Sequence, residues 1–220
     1  MSAKTVWITG ASSGIGEALA LQFAKNGDRL VLSARREDEL ERVAERCRAA
    51  AGTATGQVLV LPLDVTDWDS LPGEVEAVLA QFGTIDLLVN NAGVSQRSLC
   101  KDTDMSVYQK LMDVDVMGQI ALTKAVLPHM LERGSGHLAV TSSVAGKVGA
   151  PMRTGYCAAK HAVMGFFDAL RAEVEGQGVS VSTITPGFIR TDISRNALAG
   201  DGSAYGKEDE DIATGMDVTE

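Results

Sequence analysis

The sequence predicts an α/β fold in which helices cover both faces of one parallel sheet. Its 220 residues fit a single domain, and 45% of them are hydrophobic, which is enough for one continuous core. Short β-branched or apolar runs alternate with longer amphipathic stretches, as in strands joined by crossover helices. A glycine-rich turn follows the first short run, where sheets of this kind bind ligands. We therefore predict one doubly wound domain over residues 1–220.

These runs define the individual elements. The predicted strands are Thr5–Thr9, Arg29–Ser33, Val58–Leu63, Leu87–Asn90, His137–Ser142 and Val179–Ile184. The predicted helices are Gly16–Asn26, Glu37–Ala51, Ser70–Phe82, Met105–Glu132 and Tyr156–Glu175. Several strand runs are almost continuously apolar, which is typical of parallel strands buried on both faces. The result is a three-layer α/β/α arrangement.

Charge and cysteine pattern argue against several classes of function. The net charge is -9, and Lys and Arg are scattered rather than clustered, unlike the basic surface of a nucleic-acid-binding protein. The three cysteines form no C-x-x-C pair and no metal spacing with the histidines, so we expect no metal site. No apolar run approaches the ~20 residues of a membrane helix. We expect a cytoplasmic protein that binds neither nucleic acid nor membrane.

The turn after the first predicted strand has the composition of a phosphate-binding loop. Glycines let the backbone approach a pyrophosphate closely, and the N–H groups at a helix start favour anions. The spacing G-x-x-x-G-x-G is wider than the usual G-x-G-x-x-G, but its place between first strand and first helix predicts a Rossmann dinucleotide site. The residues assigned to this site are Gly10, Ser12, Ser13, Gly14, Ile15 and Gly16.

The same loop contains a G-x-S-x-G pattern, typical of the nucleophile elbow of α/β-hydrolases, with Ser12 as the nucleophile. That class needs an acid and then a histidine later in the chain. His129 and His161 lie within predicted helices, and His137 begins a predicted strand. No strand precedes the loop to supply an oxyanion-binding turn. A hydrolase is therefore the less favoured alternative.

The end of the second predicted strand indicates which nicotinamide cofactor is bound. NAD-specific Rossmann domains place a carboxylate there, on the ribose 2′-hydroxyl. This strand instead runs into Ala34-Arg35-Arg36, and a guanidinium suits a 2′-phosphate. The two arginines could also pair with acids of the following helix, Glu37–Glu39. The missing acid favours NADP(H) over NAD(H), with Arg35 and Arg36 as its ligands.

From Thr5 to about Thr191 the sequence resembles the classical short-chain dehydrogenase/reductase family. The matching motifs, in the family's order, are Thr9–Gly16, Asp64-Val65, Asn90-Asn91-Ala92-Gly93, Ser143, Tyr156-x-x-x-Lys160 and Pro186-Gly187. The stretch Ser142–Val148 is most similar to members near the 11β-hydroxysteroid dehydrogenases and the carbonyl reductases. The resemblance implies an NADP(H)-dependent oxidoreductase that transfers a hydride between nicotinamide and a carbonyl or secondary alcohol.

The resemblance also implies cofactor contacts beyond the phosphate loop. Asp64 would hydrogen-bond the adenine, Val65 would line its pocket, and Asn91, Ala92 and Gly93 would pass the ribose. The residues that would hold the nicotinamide ring and its carboxamide are Pro186, Gly187, Ile189 and Thr191.

Three further residues carry the implied chemistry. The i,i+4 spacing puts Tyr156 and Lys160 on one helix face, where the ammonium would stabilise a phenolate and also grip the ribose hydroxyls. Tyr156 would then be the general acid or base. Ser143, just past a strand end, would hydrogen-bond the substrate carbonyl and the oxyanion-like transition state.

One position departs from the family. Where members carry Asn in a V-N-x-x-G pattern, this chain has Asp115, in Val114-Asp115-Val116-Met117-Gly118. The family's Asn holds a water of a proton relay ending at Lys160. A carboxylate there would favour a charged lysine and oppose a phenolate, so we expect Asp115 to alter the pH optimum. The departure keeps open a second function, a non-catalytic NADP-binding scaffold or sensor.

The last 29 residues, Asp192–Glu220, have little apolar periodicity and are predicted either as a solvated loop or as a lid over the substrate. Family members usually continue to a seventh strand, so the resemblance implies a C-terminal end that is short. Val94, Met152 and Phe188 indicate a fairly apolar small-molecule substrate. By resemblance we expect a homodimer or homotetramer formed through the helices Met105–Glu132 and Tyr156–Glu175.

Overall fold

A computed structural model describes residues 3–51, 57–207 and 209–218 of the chain. Within them, six parallel strands form one sheet in the order β3-β2-β1-β4-β5-β6. The strands are β1 Thr5–Thr9, β2 Arg29–Ser33, β3 Val58–Val60, β4 Leu87–Asn90, β5 Gly136–Thr141 and β6 Val179–Ile184. This is the predicted doubly wound sheet, and the predicted fold class is confirmed.

Seven helices accompany the strands in the described part of the chain. They are α1 Gly14–Lys25, α2 Glu37–Ala51, α3 Leu71–Phe82, α4 Met105–Met112, α5 Gly118–Arg133, α6 Thr154–Glu173 and the short α7 Glu210–Ala213. None of these helices combines the length and the apolar character that crossing a bilayer requires.

The alternating directions of strand side chains build a core on each face of the sheet. Trp7 of β1 points to the face covered by α3, α5 and α6, where it packs in a cluster with Leu88 and Phe167. Val6 and Ile8, its neighbours along the strand, point to the opposite face, covered by α1 and α2. Because both faces are buried, the strands have the continuous apolar runs that the sequence displays.

Two predicted elements differ from those observed by more than two residues at an end. The third strand ends at Val60 rather than Leu63, because its partner β2 ends at Ser33. Beyond Val60 the two segments are joined only by single backbone hydrogen bonds, such as Leu63 N–H to Ala34 O at 2.9 Å. The single helix predicted over Met105–Glu132 is divided by a π-helical turn, Asp113–Met117. A π turn inserts an extra residue into the helical ladder and is frequent at functional sites.

The order of the strands determines where a ligand binds. From β1 the chain adds β2 and then β3 on one side of the sheet. It then returns to add β4, β5 and β6 on the other side of β1, so the strand order reverses between β1 and β4. At such a point the crossovers diverge and leave a crevice at the carboxyl ends of the strands. The loops after β1, β2, β4, β5 and β6 meet at this edge.

Candidate active site

A cleft of about 1340 Å³ opens at the carboxyl edge of the sheet. Every site residue predicted from the sequence except Gly16 lines this cleft. Some of these residues, such as Gly10 and Thr191, are far apart in the chain. Gly16 instead packs inside the glycine loop, where a Cβ atom would lie 2.8 Å from Asn91 Nδ2 and would collide with Gly10 O. The structure therefore brings the predicted residues together in one site, with Gly16 supporting the loop from behind.

The glycine loop has the backbone that the sequence pattern requires. Gly10 and Gly14 have φ angles of 66° and 57°, in the left-handed region that other residues rarely adopt. A Cβ atom on Gly10 would lie 2.9 Å from Ala92 Cα, so the loop and the end of β4 touch backbone to backbone. The loop then enters α1 at Gly14, and Gly14 and Ile15 at the start of this helix line the cleft, where the N–H groups of a first helical turn favour an anion.

Thr9 and Asn91 hold the loop and the end of β4 together. Thr9 Oγ1 accepts hydrogen bonds from the N–H groups of Asn91 and Ala92, each at 3.0 Å. The Asn91 side chain donates in return to Thr9 O at 3.1 Å and to Gly10 O at 3.4 Å. Thr9 was not among the predicted site residues. The signal for it was its place as the last residue of β1, directly before Gly10, where a hydroxyl can cross to the neighbouring strand.

Arginines cluster beyond the end of β2. Arg35 and Arg36 are exposed at the rim of the cleft, and Arg36 Nη2 donates to Ser12 Oγ at 3.4 Å. Within the described residues neither forms an ion pair with the acids that follow; Glu39 pairs with Arg42 instead, at 2.8 Å. Arg42, which the sequence did not single out, also donates to Ser12 O at 3.2 Å. The rim at this end thus carries positive charge next to the phosphate loop.

Two carboxylates near these arginines keep low pKa values. Hydrogen bonding to Arg42 lowers the pKa of Glu17 at the start of α1, although burial opposes this shift. For Asp64, burial acts to raise the pKa, but hydrogen bonds from the Thr66 N–H and hydroxyl and the charge of Arg35 outweigh it, so the pKa is lowered. Asp64 thus presents an ionised side chain at the rim of the cleft.

Tyr156 and Lys160 lie one helical turn apart on α6, at the inner end of the cleft. Both are nearly buried, with 6% and 4% exposed, and Lys160 Nζ lies 5.6 Å from the centre of the Tyr156 ring. Lys160 also donates to Thr141 O at 3.2 Å, which anchors it to the end of β5. Ser143 lies in the loop that leaves β5, where its Oγ accepts from Ala145 N–H and lines the same cleft.

Asp115 forms a buried ion pair with Lys160. The π-helical turn directs its carboxylate inward, where it is fully buried, with Oδ2 3.2 Å from Lys160 Nζ and Oδ1 accepting from Val94 N–H at 2.7 Å. Burial raises the pKa of the Asp115 carboxyl, while Lys160 opposes the shift. Burial alone would lower the pKa of Lys160, but Asp115, through its charge and hydrogen bond, and Tyr156 together outweigh it and raise that pKa above its ordinary value. The departure seen in the sequence thus places a carboxylate in direct contact with the lysine.

The geometry does not support the hydrolase alternative. His129 accepts from Ile85 N–H, His137 bonds the Ser182 hydroxyl from the first part of β5, and His161 bonds Cys157 O within α6. Ser12 is instead contacted by arginines. None of the three histidines is arranged as its general base.

The C-terminal part of the chain lies across the other end of the cleft. Five of its residues line the cleft: Asp192, Ile193, Asn196, Ala204 and Ile212. Backbone bonds join Leu198 to Ser95 and Arg97, at 2.8 and 2.9 Å. The carboxylate of Asp209 contacts Arg97 and Arg153 at 2.8 and 2.7 Å. Glu208 and residues 219–220 of the predicted lid lie outside the described residues.

The strand order, the glycine loop after β1 and the cleft at the reversal of strand order define a Rossmann-type dinucleotide-binding domain. The family model described as short chain dehydrogenase matches residues 4–201. The chain therefore belongs to the short-chain dehydrogenase family, as the resemblance of its motifs indicated. The predicted nearness to the 11β-hydroxysteroid dehydrogenases within that family stays a prediction.

Individual relatives agree with this assignment. The human protein named dehydrogenase/reductase SDR family member 7 is 52% identical over 197 residues, which are 89% of this chain and 58% of that protein. A Drosophila melanogaster family protein 7-like is 49% identical over 213 residues, or 97% of this chain and 65% of that protein. The chain thus spans about three fifths of the length of these relatives.

Solved structures show the same fold. A short-chain dehydrogenase/reductase from Burkholderia phymatum, in complex with NAD, superposes with a TM-score of 0.88 at 27% identity and covers 99% of this chain and 82% of that one. Levodione reductase superposes with a TM-score of 0.84 at 31% identity, and the match covers 88% of this chain and 74% of that one.

Proposed function

We propose that the protein is an NADP(H)-dependent oxidoreductase that interconverts a carbonyl group and a secondary alcohol. The observation that carries the proposal is the convergence of Ser143, Tyr156 and Lys160 in the same cleft as the phosphate loop. When bound, the nicotinamide supplies or accepts the hydride, and the protein supplies position and a proton. The name of one structural relative, a reductase, agrees with this reaction class.

The dinucleotide fits the residues that line the cleft. Gly10 lets the loop lie directly against the end of β4, since a Cβ there would be 2.9 Å from Ala92 Cα, and the start of α1 offers N–H groups to a pyrophosphate. The rim at the other end of the loop supports a 2′-phosphate, since β2 ends without a carboxylate and Arg36 contacts Ser12. The Burkholderia relative holds NAD, so the preference for NADP(H) rests on the arginines of this chain.

In this proposal Tyr156 exchanges the proton with the substrate oxygen. The Lys160 ammonium stabilises the phenolate electrostatically, and Ser143 hydrogen-bonds the same substrate oxygen. Asp115 keeps Lys160 charged through their ion pair. The tail around Ile193 and Ile212 covers the substrate as a lid, and the apolar residues at this end favour an apolar carbonyl compound.

The test is NADPH consumption with a panel of apolar aldehydes and ketones, compared between the wild type and Tyr156→Phe. General acid–base groups contribute about 10²–10⁴-fold, so turnover should fall by at least this order. NADPH affinity, measured by fluorescence, should stay near that of the wild type because the phosphate loop is unchanged.

Substantial residual turnover in Tyr156→Phe would overturn the assignment of the acid. A wild type that binds NADPH tightly but consumes none with any carbonyl compound would favour the second function, a non-catalytic NADP-binding scaffold or sensor. That alternative draws on the Asp115–Lys160 ion pair, which stands where the family has a neutral amide.

A further inference from the structure

Gln96 lies outside the assigned site, yet its side chain connects the segment after β4 with the start of α6. It is fully buried, and its amide uses both ends for hydrogen bonds. Oε1 accepts from the backbone N–H of Gly155 at 2.8 Å. Nε2 donates to Ser98 Oγ at 3.1 Å and to Thr103 Oγ1 at 3.2 Å. A buried amide with these partners is fixed in one orientation.

The bond to Gly155 caps the helix that carries the tyrosine. Gly155 is the second residue of α6 and directly precedes Tyr156. The first N–H groups of a helix have no partner within it, and the side chain of Arg153 at the N-cap position does not cap them. Gln96 supplies this acceptor from a segment 59 residues earlier in the chain. The position of the first turn of α6 therefore depends on the loop that contains Gln96.

The packing leaves the helix start no room to move toward its neighbours. A Cβ atom on Gly155 would lie 2.7 Å from both Leu111 Cδ1 and Tyr108 Cδ1, and 3.0 Å from Gln96 Oε1. α6 thus begins in direct contact with both α4 and the Gln96 amide. Loss of the amide contact would release one of these two constraints.

The backbone on either side of Gln96 also forms hydrogen bonds with Leu198 in the C-terminal part of the chain. Leu198 N–H donates to Ser95 O at 2.8 Å, and Arg97 N–H donates to Leu198 O at 2.9 Å. These bonds flank Gln96 on both sides, so one residue lies between the docked tail and the start of α6.

We propose that Gln96 is a positioning residue that sets the first turn of α6 and, through it, the place of the Tyr156 phenol in the cleft. The inference rests on the proposed role of Tyr156 and deepens it. Gln96 itself is not among the residues that line the cleft, so its effect passes through Gly155. Small displacements of a catalytic group lower turnover steeply, by up to about 10²-fold for 1 Å.

The test compares Gln96→Met with Asp86→Ala. Methionine keeps the length of the side chain but cannot cap Gly155. Asp86 is a matched control, since its Oδ2 also accepts a backbone N–H from a distant segment, that of Thr5 at 2.8 Å, but at the opposite edge of the sheet. Turnover of a carbonyl substrate, NADPH affinity, Tm, and amide hydrogen exchange of the peptide containing Gly155 and Tyr156 are measured for each variant.

Both variants should lower Tm. Gln96→Met should lower kcat by about tenfold, leave NADPH affinity unchanged and speed exchange at the start of α6. Asp86→Ala should change neither kcat nor that exchange. Gln96→Glu, which can still accept the Gly155 bond, should recover part of the lost kcat.

A wild-type kcat in Gln96→Met, or an equal loss of kcat in Asp86→Ala, would overturn the positioning role. If the wild type itself consumes no NADPH with carbonyl compounds, the proposed function fails and hydrogen exchange decides alone. Faster exchange confined to the start of α6 in Gln96→Met then supports the positioning role, and unchanged exchange refutes it.

Discussion

The two ends of the cleft are held in different ways. The cofactor end, residues 9–16, 34–36, 64–65 and 91–93, consists of loops that leave neighbouring strands and bond to one another within a few residues of the sheet. The substrate end, residues 94–103, 143–156, 186–207 and 209–213, consists of longer segments joined by contacts between distant parts of the chain. The loops of the cofactor end are thus held by the sheet, whereas the segments of the substrate end are held mainly by contacts with one another.

This difference separates the two tasks of the site. A cofactor that is the same in every reaction requires a rigid cradle, which strand ends provide. A substrate end built from loops can change its lining without disturbing the sheet. It follows that substitutions at the cofactor end should act on cofactor affinity, and those at the substrate end on KM, kcat or pH dependence.

The cofactor end should be broken most severely by Gly10→Ala. A side chain at a φ of 66° is strained, and its Cβ would lie 2.9 Å from Ala92 Cα, so the loop must shift away from the pyrophosphate. We expect the Kd for NADPH, measured by titration, to rise by about 100-fold, since a displaced loop loses several charge-assisted bonds.

Gly83→Ala is the matched control for this change. Gly83 also has a left-handed φ, 72°, but a Cβ there would meet nothing within 4 Å. This variant should lose about 1–2 kcal/mol of stability and keep its NADPH affinity. An equal loss of affinity in both variants would show that strain alone, rather than the contact with Ala92, determines the result.

The arginine rim should have a smaller and more selective effect. Replacing Arg35 or Arg36 by alanine removes a charged donor from the rim of the cleft, and a hydrogen bond to a charged group is worth about 1.5–3 kcal/mol before screening at this exposed rim. We expect NADPH affinity to fall about tenfold for each variant while NADH affinity stays unchanged. Arg48→Ala, on α2 in an exposed pair with Glu41, is the charge control. Equal losses for NADPH and NADH would contradict a 2′-phosphate site.

Asp115→Asn tests Lys160, the partner of Tyr156, through the pH dependence of turnover. Against the effect of burial, the carboxylate and Tyr156 together hold the pKa of Lys160 above its ordinary value. A neutral amide removes this support and leaves the burial, so Lys160 loses its proton at a lower pH. The alkaline limb of the kcat/KM profile should therefore move to lower pH, with little change below the pKa of Lys160 in both proteins. Superimposable profiles would show that the ion pair does not govern the reaction.

What the sequence predicted well is local. The strand runs, the Gly10–Gly16 turn and the i,i+4 spacing of Tyr156 and Lys160 all depend on residues a few positions apart, and each appears in the structure in the predicted place. β4 and β6 even begin and end at the predicted residues. The cofactor end was predictable because local patterns build it.

What the sequence could not predict is pairing over distance. Gln96 accepts a bond from Gly155, and Asp209 contacts Arg97 and Arg153; no periodicity or spacing marks such partners. The π-helical turn was missed for a related reason, since a helix with one extra residue keeps nearly the same apolar pattern. Asp115 was noticed as a departure, but its contact with Lys160 follows only from that turn.

The smallest effect is expected where the tail meets the body of the substrate end. Asp209→Asn keeps the shape of a nearly buried side chain but removes the charge that contacts Arg97 and Arg153. The backbone bonds of Leu198 would still hold part of the tail, so we expect only about 1 kcal/mol of docking to be lost, a several-fold rise in KM at nearly constant kcat. Steady-state kinetics with the best carbonyl substrate measures the change.

Asp168→Asn is the control for this prediction, since it removes an exposed pair with Arg171 on α6 and should leave KM unaltered. If Asp209→Asn lowers kcat and leaves KM constant, the tail does not act as a lid over the substrate but supports the catalytic residues, and the substrate end would then share the rigid character of the cofactor end.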